Sequence, residues 1–277
     1  MRRRWLLAAV LLLTAVPPDR LTAQEVAANR STAYLHPTDV RDSRALWVNP
    51  AGLGVLREAS VYAEIAVQDP GRGSGRLRQL SAGFNSRGLS FGYQRDVFDG
   101  GRRGHTYRVG LAGGSKGLAG GAAMALYRGD TKGTGWDIGG LYTAEGTTAL
   151  TVGGVIANIG QPVVRGLQQR LTFIPGATWR PLGPAAALSL HARITPDSVI
   201  GYAFGLTWQG SGARWPIAVL ARLDTDGGLR RGAFAVGISI GGRDRVGMVV
   251  STPGDLSGVD AASLWGLSTR EAGARRR

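Results

Sequence analysis

The side chains that most often carry out chemistry are sparse in this sequence. His36, His105 and His191 fall on separate segments without the spacing of a metal site, and the chain has no cysteine to assist them. His191 lies two residues from Arg193 on the polar face of a predicted strand, which favours a lumen or surface residue over a catalyst. The sequence therefore predicts no metal ion, no cofactor and no catalytic residue.

Two glycine-rich stretches resemble ligand loops without completing them. Residues 71–75 read Gly-Arg-Gly-Ser-Gly, but they lack the Gly-Lys-Ser/Thr ending and the helix that would hold a phosphate. Residues 224–228 read Asp-Thr-Asp-Gly-Gly, but no glutamate follows at the distance that a calcium loop requires, and Asp-Gly is typical of a hairpin turn. We therefore predict that the protein is not an enzyme.

The first 23 residues read as a signal peptide. The basic start Arg2–Arg4 precedes an apolar run, Trp5–Val16, that is too short to span a bilayer as a helix. Leu21-Thr22-Ala23 then offers a cleavage point. No later run reaches the apolar length of a transmembrane helix. The sequence therefore predicts an exported protein that does not remain in the inner membrane.

The stretch from Ala45 to Leu53 separates a polar lead-in from the rest of the chain. A short helix is expected around residues 43–47, and it must end before Asn49 because Pro50 pushes the preceding residue out of the helical region. Gly52 is expected to allow a backbone turn that a side chain would forbid. The apolar flanks of this turn must pack against other residues. The simplest alternative is an ordinary tight turn before a first strand.

From Ala59 onward, apolar and polar residues alternate with period two. Residues 200–208 are the clearest case, with Ile, Tyr, Phe, Leu and Trp alternating with smaller residues. The sequence holds about fourteen such segments of roughly ten residues, separated by turns, and this spacing is typical of a membrane barrel. We predict an all-β fold, a transmembrane antiparallel β-barrel of about 14 strands with a short N-terminal plug segment.

A soluble β-sandwich also has alternating strands, but two features favour the barrel. The polar faces carry Gly, Ser, Thr and occasional charge instead of a second apolar layer. The apolar faces are predicted to end in aromatic residues, as in the girdles of membrane barrels: Tyr127, Trp136, Tyr142, Trp179, Tyr202, Trp208, Trp215 and Trp265.

Three patches resemble FadL-like and PorV/PorQ-like outer-membrane β-barrels. Residues 152–160, which end in Asn-Ile-Gly, resemble a mid-barrel strand of PorV/PorQ-like proteins, and residues 171–177 resemble the entry to the next strand. The N-terminal match consists of Ala45, Asn49, Pro50, Ala51, Gly52 and Leu53. In those families this segment folds inward and helps to plug the barrel. The chain departs from them in its shorter length and in its basic C-terminus, residues 272–277, where they end on an aromatic residue.

We expect the chain to divide into four parts, of which the plug is implied by the resemblance. Residues 1–23 form the signal peptide, 24–58 the lead-in and plug segment, 59–269 the outer-membrane barrel and 270–277 a basic tail. The plug or gate comprises Asn49, Pro50, Ala51, Gly52 and Leu53. Polar lumen residues are expected to hold the plug by hydrogen bonds and charge pairs, and the candidates are Glu64, Gln79, Arg108, Asp137, His191 and Arg193.

The formal charge of +14 raises the question of an anionic partner. Arginines cluster at the two termini and are otherwise scattered in loops such as residues 100–104, and no aromatic-basic motif of a nucleic-acid module accompanies them. We therefore expect outer-membrane lipids and lipopolysaccharide as partners, and no nucleic acid.

Three functions follow as alternatives. The first is a barrel of the bacterial outer membrane that transports or holds a hydrophobic small molecule, with its lumen gated by the plug. The second is a PorV/PorQ-like barrel that binds an exported protein in type IX secretion. The third is a soluble exported β-domain with a structural role.

Overall fold

The computed structural model describes residues 32–56, 58–68, 76–98, 101–130, 132–144, 150–164, 167–210 and 215–271. The predicted signal peptide, the glycine-rich loop at 71–75 and residues 272–277 of the predicted tail lie outside these ranges.

Fourteen antiparallel strands close into a barrel within the described residues, in agreement with the predicted fold and strand number. Each strand pairs with its neighbours in the chain, and the last strand pairs with the first. The first seven barrel strands are β1 (Glu58–Gln68), β2 (Arg76–Ser86), β3 (Leu89–Val97), β4 (Arg103–Ser115), β5 (Leu118–Gly129), β6 (Gly133–Thr143) and β7 (Leu150–Ile159). The second seven are β10 (Thr172–Trp179), β11 (Ala186–Ile194), β12 (Val199–Gln209), β13 (Ile217–Asp226), β14 (Arg231–Gly241), β15 (Asp244–Pro253) and β16 (Ala261–Glu271).

The remaining elements are short. The strands β8 (Val163–Val164) and β9 (Leu167–Gln168) form a separate hairpin between β7 and β10. Helix α1 (Ala45–Val48) and a 3-10 helix (Pro50–Gly54) precede the barrel, and a second 3-10 helix (Gly183–Ala185) precedes β11. The described residues contain no helix with the length and apolar character needed to cross a membrane.

Period-two alternation separates two faces of the wall. In β1, Ser60, Tyr62 and Glu64 are buried, whereas Val61 and Ile65 between them are exposed. Every barrel strand exposes at least one large apolar side chain, for example Val61, Phe84, Phe91, Leu111, Leu118, Ile138, Ile156, Phe173, Leu190, Leu206, Val219, Ile238, Met248 and Leu264. The barrel is therefore apolar on the outside around its whole circumference.

The predicted aromatic positions divide between the two faces. Five of the eight, Trp136, Tyr142, Trp179, Trp208 and Trp215, are 45% to 62% exposed, and Tyr202 is partly exposed. The prediction is wrong for Tyr127 and Trp265, which are 1% and 7% exposed and face the interior. Each ring follows a leucine, Leu126 or Leu264, that points to the other face, so apolar residues lie on both faces and the sequence gives no alternation that would fix which way each ring points.

The two ends of the barrel differ. Both the start of β1 and the end of β16 lie at one end, which we call the near end, and the opposite end is the far end. Two-residue turns join β2 to β3 and β4 to β5 at the near end, and both residues of each turn have positive φ: Arg87 and Gly88, then Lys116 and Gly117. Such turns match the twist of a hairpin. The first of these turns closes the hairpin of β2 and β3, and the second closes the hairpin of β4 and β5.

Pro175 lies inside β10 and interrupts one of its two ladders. Pairing with β7 is continuous through Pro175 and Gly154. Pairing with β11 passes from Phe173–Ile194 to Gly176–His191 and skips the two residues between. A proline has no N–H to donate, so an interruption on one side of the strand is the expected result.

Candidate functional site

Residues 32–56 lie inside the barrel, and we call them the inner segment. Its apolar side chains Leu46, Trp47 and Leu53 belong to one buried cluster with inward-facing residues such as Tyr62 and Trp265. Its hydrogen bonds reach seven barrel strands: β1, β2, β4, β7, β10, β11 and β13. The core of this barrel is thus formed partly by the chain that precedes it.

Asn49 organises the turn at the centre of the inner segment. Its backbone is extended, as the following proline requires, and its Oδ1 accepts a hydrogen bond of 3.1 Å from the Ala51 amide at the start of the 3-10 helix. Its Nδ2 donates to the carbonyl oxygens of Pro37 at 3.0 Å and Gly154 at 3.4 Å. Asn49 is fully buried. One side chain therefore caps a helix, closes a loop and contacts the wall.

Four inward-facing glycines on consecutive strands receive the inner segment, and we call them the glycine seat: Gly92 on β3, Gly110 on β4, Gly121 on β5 and Gly139 on β6. A Cβ added at Gly139 would lie 1.8 Å from Asn49 Oδ1, and one at Gly121 would lie 2.5 Å from the Pro50 oxygen. Such distances are shorter than any van der Waals contact. The seat thus exists because these positions carry no side chain.

Gly52 is required for a different reason than the sequence predicted. It is absent from the residues with positive φ, so its backbone conformation is open to other residues. A Cβ at this position would lie 2.3 Å from the Val40 oxygen. The glycine permits close approach of two parts of the inner segment, so the turn excludes a side chain by contact and not by backbone conformation.

Arg108 and Asp137, both predicted for the lumen, meet beneath α1. Their side chains form an ion pair of 2.7 Å and are 6% and 10% exposed. Arg108 also donates to the Leu46 carbonyl at 2.9 Å and stacks over the Trp47 ring at 5.2 Å. Asp137 accepts a further hydrogen bond from the Asn158 amide. The charge pair therefore ties β4 and β6 to the end of the inner helix.

His191 meets a second histidine that is 155 positions away. Its Nδ1 lies 3.0 Å from Nδ1 of His36, and both rings are buried. The His36 ring also fills the space left by Gly205, where a Cβ would lie 2.1 Å from its Nε2. Burial, together with the positive charge of Arg222, lowers the pKa of His36 to about 3. The imidazole pair is therefore neutral at ordinary pH.

Arg193 belongs to a charge cluster beside these histidines. Its guanidinium lies 3.9 Å from the Asp224 carboxylate, which pairs with Arg222 at 2.7 Å. Arg222 in turn donates to the Leu35 carbonyl at 2.7 Å. Arg193 is therefore linked to the inner segment through Asp224 and Arg222 and does not contact it directly in the interactions described.

Glu64 faces a charged pair within the inner segment. It is 1% exposed and interacts electrostatically with Arg44. Arg44 binds Asp42 at 2.7 Å and lies 4.5 Å above the Trp265 ring. Burial alone would raise the pKa of Asp42, but the adjacent guanidinium of Arg44 holds it below its usual value. The pair therefore stays ionised inside the barrel.

Gln79, the sixth lumen candidate, does not hydrogen-bond to the inner segment among the contacts described. Its amide donates to Asp96 at 2.9 Å, and Gln94 donates to the same carboxylate. These residues lie toward the far end. Among the hydrogen bonds described, those from the six candidates to the inner segment are made by Arg108 and His191.

Other anchors were not identified from the sequence. Thr178 exchanges a 2.7 Å hydrogen bond with Thr38, and Arg180 forms a short ion pair with Asp39. Arg222 could have been identified from the sequence, because it is a single arginine within the apolar run of β13. The further wall residues that bind the segment are Ser60, Asn85 and Thr151.

At the far end, a second part of the chain contacts the inner face of the wall. Val164 in the β8–β9 hairpin is 5% exposed and packs with Ala125 and Tyr127 of the wall. Its neighbour Val163 pairs with Lys132 in an isolated bridge. Val164 therefore packs against the inner face of the wall at the far end.

One sequence pattern typical of hydrolases occurs in this chain, but it is not placed as in an active site. Residues 237–241 match Gly-x-Ser-x-Gly, but Ser239 lies within β14, whereas a nucleophile elbow places its serine on a strand-to-helix turn. The described residues contain no group of three or more side chains that would hold a metal ion. His105 lies on the outer face, where its Nδ1 is 2.8 Å from the Tyr93 hydroxyl.

No protein family profile and no curated protein matches this chain. Among solved structures, it is similar to the CymD monoaromatic hydrocarbon channel, with 9% identity, a TM-score of 0.53, and coverage of 85% of this chain and 94% of that one. It also matches a bacterial polysaccharide outer membrane secretin (10% identity, TM-score 0.46, coverage 78% and 98%). A third match is the Acinetobacter baumannii outer membrane protein Omp33 (9% identity, TM-score 0.43, coverage 78% and 98%). The likeness to CymD shows that this chain shares the β-barrel fold of that outer-membrane protein.

Proposed function

We propose that the protein is a barrel of the bacterial outer membrane that moves or holds a small hydrophobic molecule, with the inner segment as its plug. The observation that carries this proposal is the combination of an apolar exterior on all fourteen strands with a lumen occupied by the protein's own chain. A membrane-spanning barrel needs the first feature, and a gated path needs the second.

The exterior supports a membrane location over a soluble exported domain. Large apolar side chains such as Leu264 and Val61 are about three-fifths exposed, and similar residues surround the barrel. Contiguous apolar surface of this extent is rare on soluble monomers, because water would have to hydrate it. In a bilayer the same surface meets hydrocarbon.

The contacts of the plug support a hydrophobic cargo. Leu46, Trp47 and Leu53 cover wall residues such as Tyr62 and Trp265. Withdrawal of these side chains would leave an apolar strip along the inside of the wall. A small uncharged molecule gains free energy on such a strip by the same burial that now holds the plug.

The gate is tested by replacing the residues that fix it. Asn49→Ala together with Pro50→Ala removes three hydrogen bonds of the Asn49 side chain and the preset backbone of the turn. We expect faster entry of an uncharged aromatic fluorescent probe into vesicles that contain the variant than into vesicles that contain the original protein. Unchanged entry through a barrel that still shows heat-modifiable migration would refute the gate.

One observation favours PorV/PorQ-like partner binding as the second candidate. The plug is hydrogen-bonded to seven strands, an arrangement suited to a barrel that stays closed and offers its ends to an exported protein. This candidate predicts that the purified barrel binds the sorting domain of a type IX cargo. It also predicts genes for type IX machinery in the same genome, and their absence would leave transport as the proposal.

A further inference from the structure

Basic side chains follow one edge of the outer surface at the far end. Arg95 on β3, His105 on β4 and Arg128 on β5 lie in one cross-strand row, because Arg95 pairs with His105 and His105 with Arg128. Adjacent strands are about 4.8 Å apart, so the row spans about 10 Å. Arg78 and Arg103 lie one step further toward the far end on β2 and β4. We call these five residues the basic rim.

The surface below the basic rim changes in two steps. Tyr93 and Tyr107 pair directly beneath it, with ring centroids 5.3 Å apart, and the Tyr93 hydroxyl meets His105. Next come Phe91 and Phe84, which are about two-fifths exposed. The order of charge, aromatic ring and apolar side chain is the profile of a protein surface that crosses from headgroups into hydrocarbon.

Like charges in neighbouring cross-strand positions repel one another, and a bound anion offsets that cost. Asp130 is an exposed acidic residue close to the basic rim, and its carboxylate accepts a hydrogen bond from the Arg103 amide at 2.8 Å. Guanidinium groups bind phosphate through paired hydrogen bonds that an ammonium group does not reproduce. The chemistry of the rim therefore fits phosphate groups held at the level of the headgroups.

The ends of the barrel identify which leaflet supplies these phosphates. Membrane barrels of the outer membrane have their short turns on the periplasmic side, and the two-residue turns of this chain lie at the near end with both ends of the barrel chain. The far end then faces outward. Given the proposed membrane location, we infer that the basic rim on β2 to β5 binds the lipid A phosphates of lipopolysaccharide in the outer leaflet.

Binding is measured on the purified full-length protein in detergent, with lipid A that carries both phosphates as the probe. Changing both Arg95→Gln and Arg128→Gln removes two charges of the row. We expect affinity to fall about thirty-fold, since each basic residue near an anionic lipid surface contributes about fivefold. Removing the lipid A phosphates should weaken binding to the original protein to a similar degree. The variant with Arg95→Lys and Arg128→Lys should bind with intermediate affinity.

A matched control changes two exposed arginines at the far end on another part of the wall, Arg230→Gln and Arg231→Gln. We expect it to bind lipid A as the original protein does. Equal affinities of the original protein and the Arg95 and Arg128 variant, or equal binding of dephosphorylated lipid A, would overturn the inference. Equal competition by phosphatidylglycerol would also overturn it, by assigning the rim to ordinary phospholipids. Because no transport is measured, failure here is separate from failure of the proposed gate.

Discussion

The inner segment meets the two sides of the lumen by different means. Against β3 to β6 it rests on the glycine seat. Asn49 and Pro50 lie directly on the backbone of these glycines, and no side chain would fit between them. Against β10 to β13 it is held by polar and charged side chains, among them His191 and Arg222. Apart from the Arg108–Asp137 ion pair, the first side is therefore sensitive to added volume, and the second side is sensitive to charge. We expect the inner segment to be displaced by added volume on the first side and by protons on the second.

The largest effect is expected from adding a side chain to the seat. Gly139→Leu would place its Cβ where Asn49 Oδ1 now lies, so the inner segment must leave its position. Because the chain has no cysteine, a single Ser43→Cys change reports this displacement. Ser43 is fully buried, and its thiol replacement should pass from protected to freely labelled when Gly139→Leu is added.

The neighbouring residue provides the control for this experiment. Gly140 lies on the outer face of the same strand with no atom within 4 Å of an added Cβ. Gly140→Leu should leave the thiol at position 43 protected. Equal labelling in the two leucine variants would show that the seat does not hold the segment.

A smaller effect is expected from the buried ion pair on the seat side. Arg108→Ala leaves Asp137 buried without its charge partner and removes the hydrogen bond to Leu46. Breaking such a pair costs about 3–5 kcal/mol, so the urea concentration at the midpoint of unfolding should fall clearly. Arg270→Ala breaks an ion pair with Asp244 that is more than half exposed, and it should change the midpoint little. Similar midpoints for the two variants would contradict the role of Arg108.

The smallest effect is expected from acid on the polar side. His36 has a pKa of about 3 when the inner segment is in place and an ordinary value near 6.5 when the segment has left the lumen. The free energy that holds the segment in place is therefore unaffected above pH 6.5 and decreases as the pH falls toward 3. At pH 5 the loss is about 2 kcal/mol. His191, Arg222 and Asp224 face His36; Arg222 opposes its protonation, and Asp224 favours it.

This loss is measured by the rate at which the Ser43→Cys thiol is labelled between pH 7 and pH 5. The labelling rate of a free thiol at each pH corrects for the pH dependence of thiolate reactivity. His36→Gln should flatten the profile, because glutamine cannot take up the proton. A profile that stays steep in the glutamine variant would assign the acid response to another group.

Much of the architecture was predictable because it depends on local rules. Alternation with period two decides which face of a strand is apolar, and turns such as Arg87-Gly88 decide where hairpins close. The short helix before Asn49-Pro50 follows in the same way from the restriction that proline places on its neighbour. These rules act within about ten residues, and the sequence carries them without reference to the rest of the chain.

The partners of the inner segment were decided by the closed barrel alone. His36 meets His191 and Thr38 meets Thr178 only because the ring of strands has one register and one circumference, which no local pattern encodes. Tyr127 and Trp265 face inward for the same reason, since each follows an apolar leucine that could equally have taken the inner face, and the packed interior selects the ring. The sequence by itself determined the strands and, outside such exceptions, which of their faces is apolar. Tertiary structure decided which side chains meet across the lumen, because contacts between distant residues form only when the barrel closes.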